Sequence, residues 1–258
     1  MNFDFQTILI ALVGGILPAL FWLWFWLKED KKRPEPRGLI ILTFLGGFVA
    51  VLLALFIENA IDTSAYMSNI IANLGFGIEK IMKFFKENYS LNHLLLKSSV
   101  IIVLWSTTEE ILKYLASYIT ALRRKEMDEP VDAMIYLITT ALGFAALENV
   151  LFLVSSFYEN NIFQALMDGN MRFMGATVLH TLTSGVVGLF IALSFYKSVL
   201  TKKIYLLIGL ILSVALHSIF NLLIINSGGE NIFLVFGLVW FAIMVLILLF
   251  EKVKRIKK

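Results

Sequence analysis

The chain has no cysteine among its 258 residues, which excludes disulfides, thiolate zinc sites and cysteine nucleophiles. Charge is scarce as well. Only 16% of residues are Asp, Glu, Lys or Arg, where soluble domains carry about 25%. Met1–Gln6 lacks the basic n-region of a cleavable signal peptide, so the first apolar run is expected to remain as a membrane span. Familiar signatures of intramembrane hydrolysis are missing: there is no His-Glu-x-x-His, no Gly-x-Ser-Gly and no Gly-x-Gly-Asp. The net charge of +3 carries no nucleic-acid signal, because the basic residues gather at loop ends. What the chain does have is apolar surface. It is 59% hydrophobic with a mean hydropathy of +0.83, the composition of a polytopic membrane protein.

Apolar runs of about 20 residues mark candidate spans. Seven are present: Thr7–Leu27, Gly38–Ile57, Leu94–Leu122, Ala133–Phe157, Phe173–Leu200, Ile204–Ile225 and Ile232–Phe250. The expected fold is therefore an all-α transmembrane bundle. Sixteen of the 22 basic residues fall on one side, in the loops around Lys28–Arg37, Arg123–Lys125 and Lys197–Lys203 and in the tail from Lys252. The other side holds Lys80, Lys83, Lys86 and Arg172. The excess of basic residues on cytoplasmic loops places the N-terminus outside and the C-terminus in the cytoplasm. Phe21, Trp22, Trp24, Phe25 and Trp26 read as an aromatic belt at the cytoplasmic end of the first span.

Between the second and third spans lies a different pattern. Met67, Ile70, Ile71, Leu74, Ile78, Ile81, Met82, Phe85 and Tyr89 recur at three- and four-residue spacing, with Glu79, Lys80, Lys83, Lys86 and Glu87 on the other face. That predicts an amphipathic helix on the outer membrane surface. The chain then divides into two N-terminal spans (1–60), an extracytoplasmic amphipathic helix (61–92), a four-helix core (93–226) and a last span with a basic tail (227–258).

The third span contains Glu109-Glu110-Ile111-Leu112-Lys113, three charged groups within about two turns. An acidic or basic residue at a helix centre costs roughly 2.5–3.5 kcal/mol on insertion scales, so such residues mark function by default. The fourth span adds Glu148 and Asn149, the fifth His180 and Ser184, the sixth His217 and Asn221. Spacings of four put His180 with Ser184, and His217 with Asn221, on common helix faces. Depth links the spans. At about 1.5 Å per residue, Glu109 stands about 21 Å from Arg123, Glu148 about 24 Å from Asp132, His180 about 26 Å from Lys197 and His217 about 21 Å from Lys203. All four groups share one layer, displaced toward the outer leaflet. Carboxylates and imidazoles meeting in one wet intramembrane layer suit activation of water by a general base, or binding of a divalent metal that does the same. Zinc accepts both donor types. Ser184 and Asn221 also suit plain helix–helix hydrogen bonding, and His93 reads as an interfacial residue.

The charged groups, taken in order, form a longer pattern: Glu109-Glu110-x-x-Lys113, Asp128-Glu129-Pro130-Val131-Asp132, Tyr136, Gly143-Phe144-Ala145-x-x-Glu148-Asn149, Arg172-Phe173, His180-x-x-x-Ser184-Gly185-x-x-Gly188 and His217-x-x-x-Asn221. This resembles the PrsW family of intramembrane proteases, relatives of the type II CAAX prenyl endopeptidases. The resemblance runs over roughly Leu96–Leu222. Lys113 stands where the prenyl endopeptidases have arginine, and Glu148 where they have histidine, which favours the PrsW type. The resemblance implies a bundle of seven or eight helices whose paired glutamates and two later histidines carry catalysis. It also implies a membrane-anchored substrate, such as an anti-sigma factor, cut near its extracytoplasmic side.

The expectation is an intramembrane endopeptidase in a prokaryotic cell membrane, with the bilayer and a single-pass membrane protein as partners and no nucleic acid. Glu109 is the expected base, supported by Glu110; Glu148, His180, His217 and Asn221 complete the catalytic set, with Lys113, Asn149 and Ser184 supporting. A metal such as Zn2+ is expected on Glu148, His180 and His217, if one takes part; a metal-free glutamate mechanism stays open beside it. An ion- or proton-coupled transporter is the alternative built from the same groups.

Overall fold

In hydrocarbon a backbone must satisfy its own N–H and C=O groups, which leaves the helix as the form for isolated apolar runs. A computed structural model describes residues 5–29, 34–73, 92–159, 167, 169, 171–226 and 231–257, and among them seven α-helices and no strand. The helices are α1 (Phe5–Glu29), α2 (Arg37–Asn73), α3 (Asn92–Ser117), α4 (Pro130–Glu159), α5 (Val178–Leu193), α6 (Val199–Asn226) and α7 (Ile232–Val253). One π-helical turn, Tyr118–Leu122, prolongs α3, and another, Phe173–Thr177, leads into α5. Such turns widen a helix locally and recur at functional sites.

Six of the seven helices contain a stretch long and apolar enough to cross a membrane. The chain is a multi-pass membrane protein. The helix left out is α3, because Lys97, Glu109, Glu110 and Lys113 break its hydropathy. It nevertheless packs between α2, α6 and α4 like its neighbours. Its Glu110 and Lys113 are buried against protein and Glu109 lines a cavity, as the next section describes.

The bundle is built around α4. Every residue from Val131 to Ala146 is buried, and α4 packs most extensively against α5, α1 and α2. Small residues make the close approaches possible, the usual device where no hydrophobic force drives helices together in lipid. A Cβ on Gly143 would collide with the backbone carbonyl of Phe44 in α2, and one on Gly47 with the backbone of Thr140 and Phe144. The outward faces are lipid-ready: Leu9, Val13, Leu17, Phe21 and Trp24 of α1 are all exposed.

Several expectations shift in detail. The second span does not stop at Ile57 but continues as helix to Asn73, so the first part of the expected amphipathic segment continues α2. The rest of that segment, 74–91, lies outside the described residues, as does the side chain of His93. The fifth span ends at Leu193 rather than Leu200, and α6 starts at Val199 rather than Ile204. The reason is a cap: the Ser198 hydroxyl accepts the N–H of Thr201 at 3.4 Å, the N-cap pattern that begins a helix. The aromatic belt is split. Trp24 is exposed with the Lys28 ammonium 4.9 Å from its ring centre, whereas Trp26 is buried against Phe250 of α7.

At the end of the bundle that carries the basic loops, Pro130 opens α4, where its missing N–H is no loss. Asp132 Oδ2 accepts the backbone N–H groups of Asp128 and Glu129 at 2.9 and 2.7 Å, and the Tyr136 hydroxyl donates to Glu35. The Asp128–Asp132 motif and Tyr136 are thus anchors for the entry to α4 and the α1–α2 loop.

The helix crossing gives a prediction. Gly143→Val should destabilise by more than the about 1–3 kcal/mol of ordinary overpacking, because the obstacle is backbone that cannot rotate away. Gly38→Ala, where nothing lies within 4 Å of the new methyl, should leave stability unchanged or slightly raised. Thermal unfolding of the purified variants in detergent measures both.

Candidate active site

Glu109 and Glu110 are adjacent, so the helix turns them about 100° apart and gives them different neighbours. Glu110 points into the bundle and is 1% exposed. Its Oε1 lies 2.6 Å from the Lys113 ammonium, one turn further on, and 2.6 Å from Nδ1 of His217. Its Oε2 accepts the Ser213 hydroxyl at 2.8 Å. Both carboxylate oxygens are therefore taken. Ser213 and His217 are four apart on α6, so that helix offers both donors from one face.

Lys113 is fully buried and spends its ammonium on three partners: Glu110, Nδ1 of His180 at 3.1 Å and the Thr183 hydroxyl at 3.3 Å. It also stands 5.4 Å from the centre of the Phe144 ring, which packs at 5.2 Å against the His180 imidazole. The other His180 nitrogen, Nε2, is 2.9 Å from Glu148 Oε2. Glu148 Oε1 pairs with the Arg172 guanidinium at 2.8 Å, and Arg172 Nε donates to Asn149 Oδ1 at 3.2 Å. The Asn149 amide in turn donates to the Thr177 hydroxyl at 2.9 Å. A single polar chain thus runs from Thr177 through Asn149, Arg172, Glu148, His180, Lys113 and Glu110 to His217.

Glu109 stands apart from that chain and at its centre. Its Oε2 is 3.8 Å from His217 Nε2 and 3.9 Å from His180 Nδ1. That oxygen is buried with no hydrogen-bond partner among the described residues. The two imidazoles meet edge to face, ring centres 5.2 Å apart. Each of Glu109, His180 and His217 can offer one ligand atom such that all three lie within 4.8 Å of one another. An orphaned carboxylate oxygen beside imidazole nitrogens is the donor set a zinc ion accepts, so these residues fit a divalent metal. The grouping differs from the expected Glu148, His180 and His217. Glu148 is drawn off by Arg172, and Glu109 occupies the centre.

These groups open on a cavity of about 200 Å3 whose lining includes the polar Glu109, Glu148, Arg172, His180, His217 and Asn221 and the apolar Leu179, Phe220, Ile224, Ile232 and Phe236. A larger cavity, about 530 Å3, lies among Tyr114, Tyr118, Phe195 and Lys202, beyond Lys113 at the C-terminal end of α3, and its lining includes none of these residues. Asn221 lines the smaller cavity one turn beyond His217. Ser184 is buried beside His180 on α5, its hydroxyl without a hydrogen-bond partner among the described residues, and it does not line the cavity.

Sequence reasoning leaves out three participants, and it gives Arg172 a place in the family pattern and among the loop charges but no partner; Arg172 clamps Glu148. Thr183 and Ser213 carried a readable signal, polar residues three and four positions from a histidine on the same face. Glu58 of α2 lies within electrostatic range of Glu109; its place near the end of the expected second span hid it.

Residues 35–249 match the family described as PrsW family intramembrane metalloprotease. Curated relatives carry the name Protease PrsW. The one from Geobacillus kaustophilus (strain HTA426) is 23% identical over 212 residues, covering 82% of this chain and 78% of its own. That of Bacillus subtilis (strain 168) is 23% identical over 211 residues, covering 82% and 81%. That of Clostridioides difficile (strain 630) is 27% identical over 214 residues, covering 81% and 77%. No solved structure matches the chain. Relatives that are proteases do not favour the ion-coupled transporter. With more than half its length matched, the chain belongs to the PrsW family of intramembrane metalloproteases.

Proposed function

We propose that the protein cleaves a single-pass membrane protein, such as an anti-sigma factor, by adding water activated between Glu109 and His217. The observation that carries this is the orphaned Glu109 Oε2, buried 3.8 Å from His217 Nε2. Two acceptors at that separation can share one water, which polar contacts beyond about 3.5 Å commonly do.

His217 has a defined face for this. Glu110 accepts its Nδ1–H, so Nε2 carries the lone pair and faces the cavity. A water donating to Glu109 and to His217 Nε2 keeps its own lone pairs free for a carbonyl carbon. Glu109 takes the proton as the C–O bond forms, and the same carboxyl returns it to the amine as the C–N bond breaks. Asn221, on the cavity wall, donates to the developing oxyanion. Glu110, through Ser213 and Lys113, is a positioning residue that fixes the His217 tautomer. Glu148 and Arg172 hold His180 and close one end of the cavity. The apolar lining residues Leu179, Phe220 and Phe236 suit the side chains of a transmembrane segment.

Glu109, His180 and His217 would hold a divalent metal such as Zn2+, which would supply Lewis-acid polarisation of the carbonyl and a more acidic water. Loop charge and the depth of the site layer favour an N-terminus outside, a cytoplasmic tail and a cut near the extracytoplasmic face.

Against a single-pass substrate in liposomes, Glu109→Gln and His217→Ala should each lower kcat/KM by at least about 100-fold. Glu110→Gln should lower it by about 10- to 100-fold through loss of imidazole orientation. Wild-type rates in folded Glu109→Gln and His217→Ala protein would overturn the assignment. Dialysis against a chelator separates the two routes: loss of activity with recovery on added Zn2+ would place a metal on these residues, and full activity in metal-free protein would leave Glu109 and His217 as the whole water-activating machinery. For orientation, a C-terminal green fluorescent protein fusion should fluoresce and an alkaline phosphatase fusion should be inactive, the reverse pair placing the tail outside.

A further inference from the structure

Three residues are set to hold a metal, but one of them is already engaged. An ammonium group has three N–H donors and no acceptor, so a hydrogen bond between Lys113 Nζ and His180 Nδ1 must place the lone pair on Nδ1. The ring proton then sits on Nε2, where Glu148 Oε2 accepts it at 2.9 Å. In this state His180 has no lone pair left to give. His217 carries the opposite tautomer, proton on Nδ1 toward Glu110 and lone pair on Nε2 toward Glu109. The two histidines, ring centres 5.2 Å apart, therefore differ in readiness: His217 is free to ligate and His180 is not.

We propose that Lys113 is a built-in competitor for the metal position, occupying with its ammonium the His180 lone pair that a divalent cation needs. The geometry lets it withdraw. Lys113 is 2.6 Å from Glu110 and 3.3 Å from Thr183, so it can leave Nδ1 while keeping its ion pair. Metal binding and Lys113 release are one event, and the bare protein holds His180 in the geometry the metal requires. The same contact keeps a positive charge beside Glu109 when no metal is there. This rests on reading Glu109, His180 and His217 as the metal set, and the experiment separates the two.

The test uses the full chain in detergent, stripped of metal. With 15N-labelled histidine, wild-type protein should show His180 with a protonated Nε2 and an unprotonated Nδ1, and His217 with the reverse. Substituting each histidine in turn assigns the signals. A proton on His180 Nδ1 would overturn the competition whatever the metal does. Titration with Co2+, followed by its visible absorption, should then give binding about 10- to 100-fold tighter in Lys113→Met than in wild type, the size of effect outer-shell contacts exert on metal sites. Equal or weaker binding in folded Lys113→Met overturns the proposal. Binding by neither protein overturns it together with the metal reading, whereas the wrong tautomer overturns the competition alone. If Lys113→Met does not fold, the wild-type tautomers still decide.

Discussion

A charged lysine buried among helices in a bilayer must have its charge answered on the spot. Lys113 is fully buried, and its answers come from α3 itself through Glu110 and from α5 through His180 and Thr183. Removing one partner of a buried pair typically costs about 3–5 kcal/mol because it strands the other charge. Every element near the site is arranged to avoid that outcome. Glu110 is satisfied by α6, His180 by α4, and Glu148 by Arg172 at the approach to α5. The four helices are held in register by charge balance, and the balance fails if any one of them slides by a turn.

Charge alone would not bring the helices close enough. The contacts of 2.6–3.1 Å across α3, α5 and α6 need backbones set by tight packing elsewhere, and α4 supplies it. Its crossing with α2 is possible only because Gly47 and Gly143 carry no side chain. A buried run through Ala146 then ends, two residues on, at Glu148, where the helix meets the cavity. The apolar core and the polar chain are parts of one construction: the first fixes the distances on which the second depends. This also accounts for α3, the one helix too charged to count as an apolar span. Its Glu110 and Lys113 are as deeply buried as core residues, so hydropathy misjudges a helix whose charges face protein rather than lipid.

Much of this was legible in the sequence, and the illegible parts have physical causes. Spans follow from run length because lipid permits little else, and the shared depth of Glu109, Glu148, His180 and His217 follows from a fixed rise per residue. Depth says nothing about rotation, however. Whether Glu109 or Glu148 faces both imidazoles depends on which way α4 turns, and Arg172, arriving from a distant segment, decides it by drawing Glu148 aside. The start of α6 at Val199 was encoded in Ser198 and Thr201, but a capping pair inside a long apolar pattern is a quiet signal. Glu58 sits near a span end, where an acidic residue is unremarkable until the fold brings it toward Glu109.

Adjacent glutamates invite an assignment of shared duty, and their environments argue for division instead. Glu110 accepts from an ammonium, an imidazole and a hydroxyl, so its oxygens have little capacity left for a water or a substrate. Glu109 has an oxygen with no hydrogen-bond partner among the described residues, facing two imidazole nitrogens across gaps of 3.8 and 3.9 Å. A base must have an open lone pair at the reacting centre, and a positioning group must not. One step along the helix separates these requirements, because it rotates the side chain from the bundle interior to the cavity. The doublet is thus a way of putting a fixed carboxylate and an available one at the same depth. Lys113, one turn on, joins the fixed carboxylate to the histidine opposite the available one.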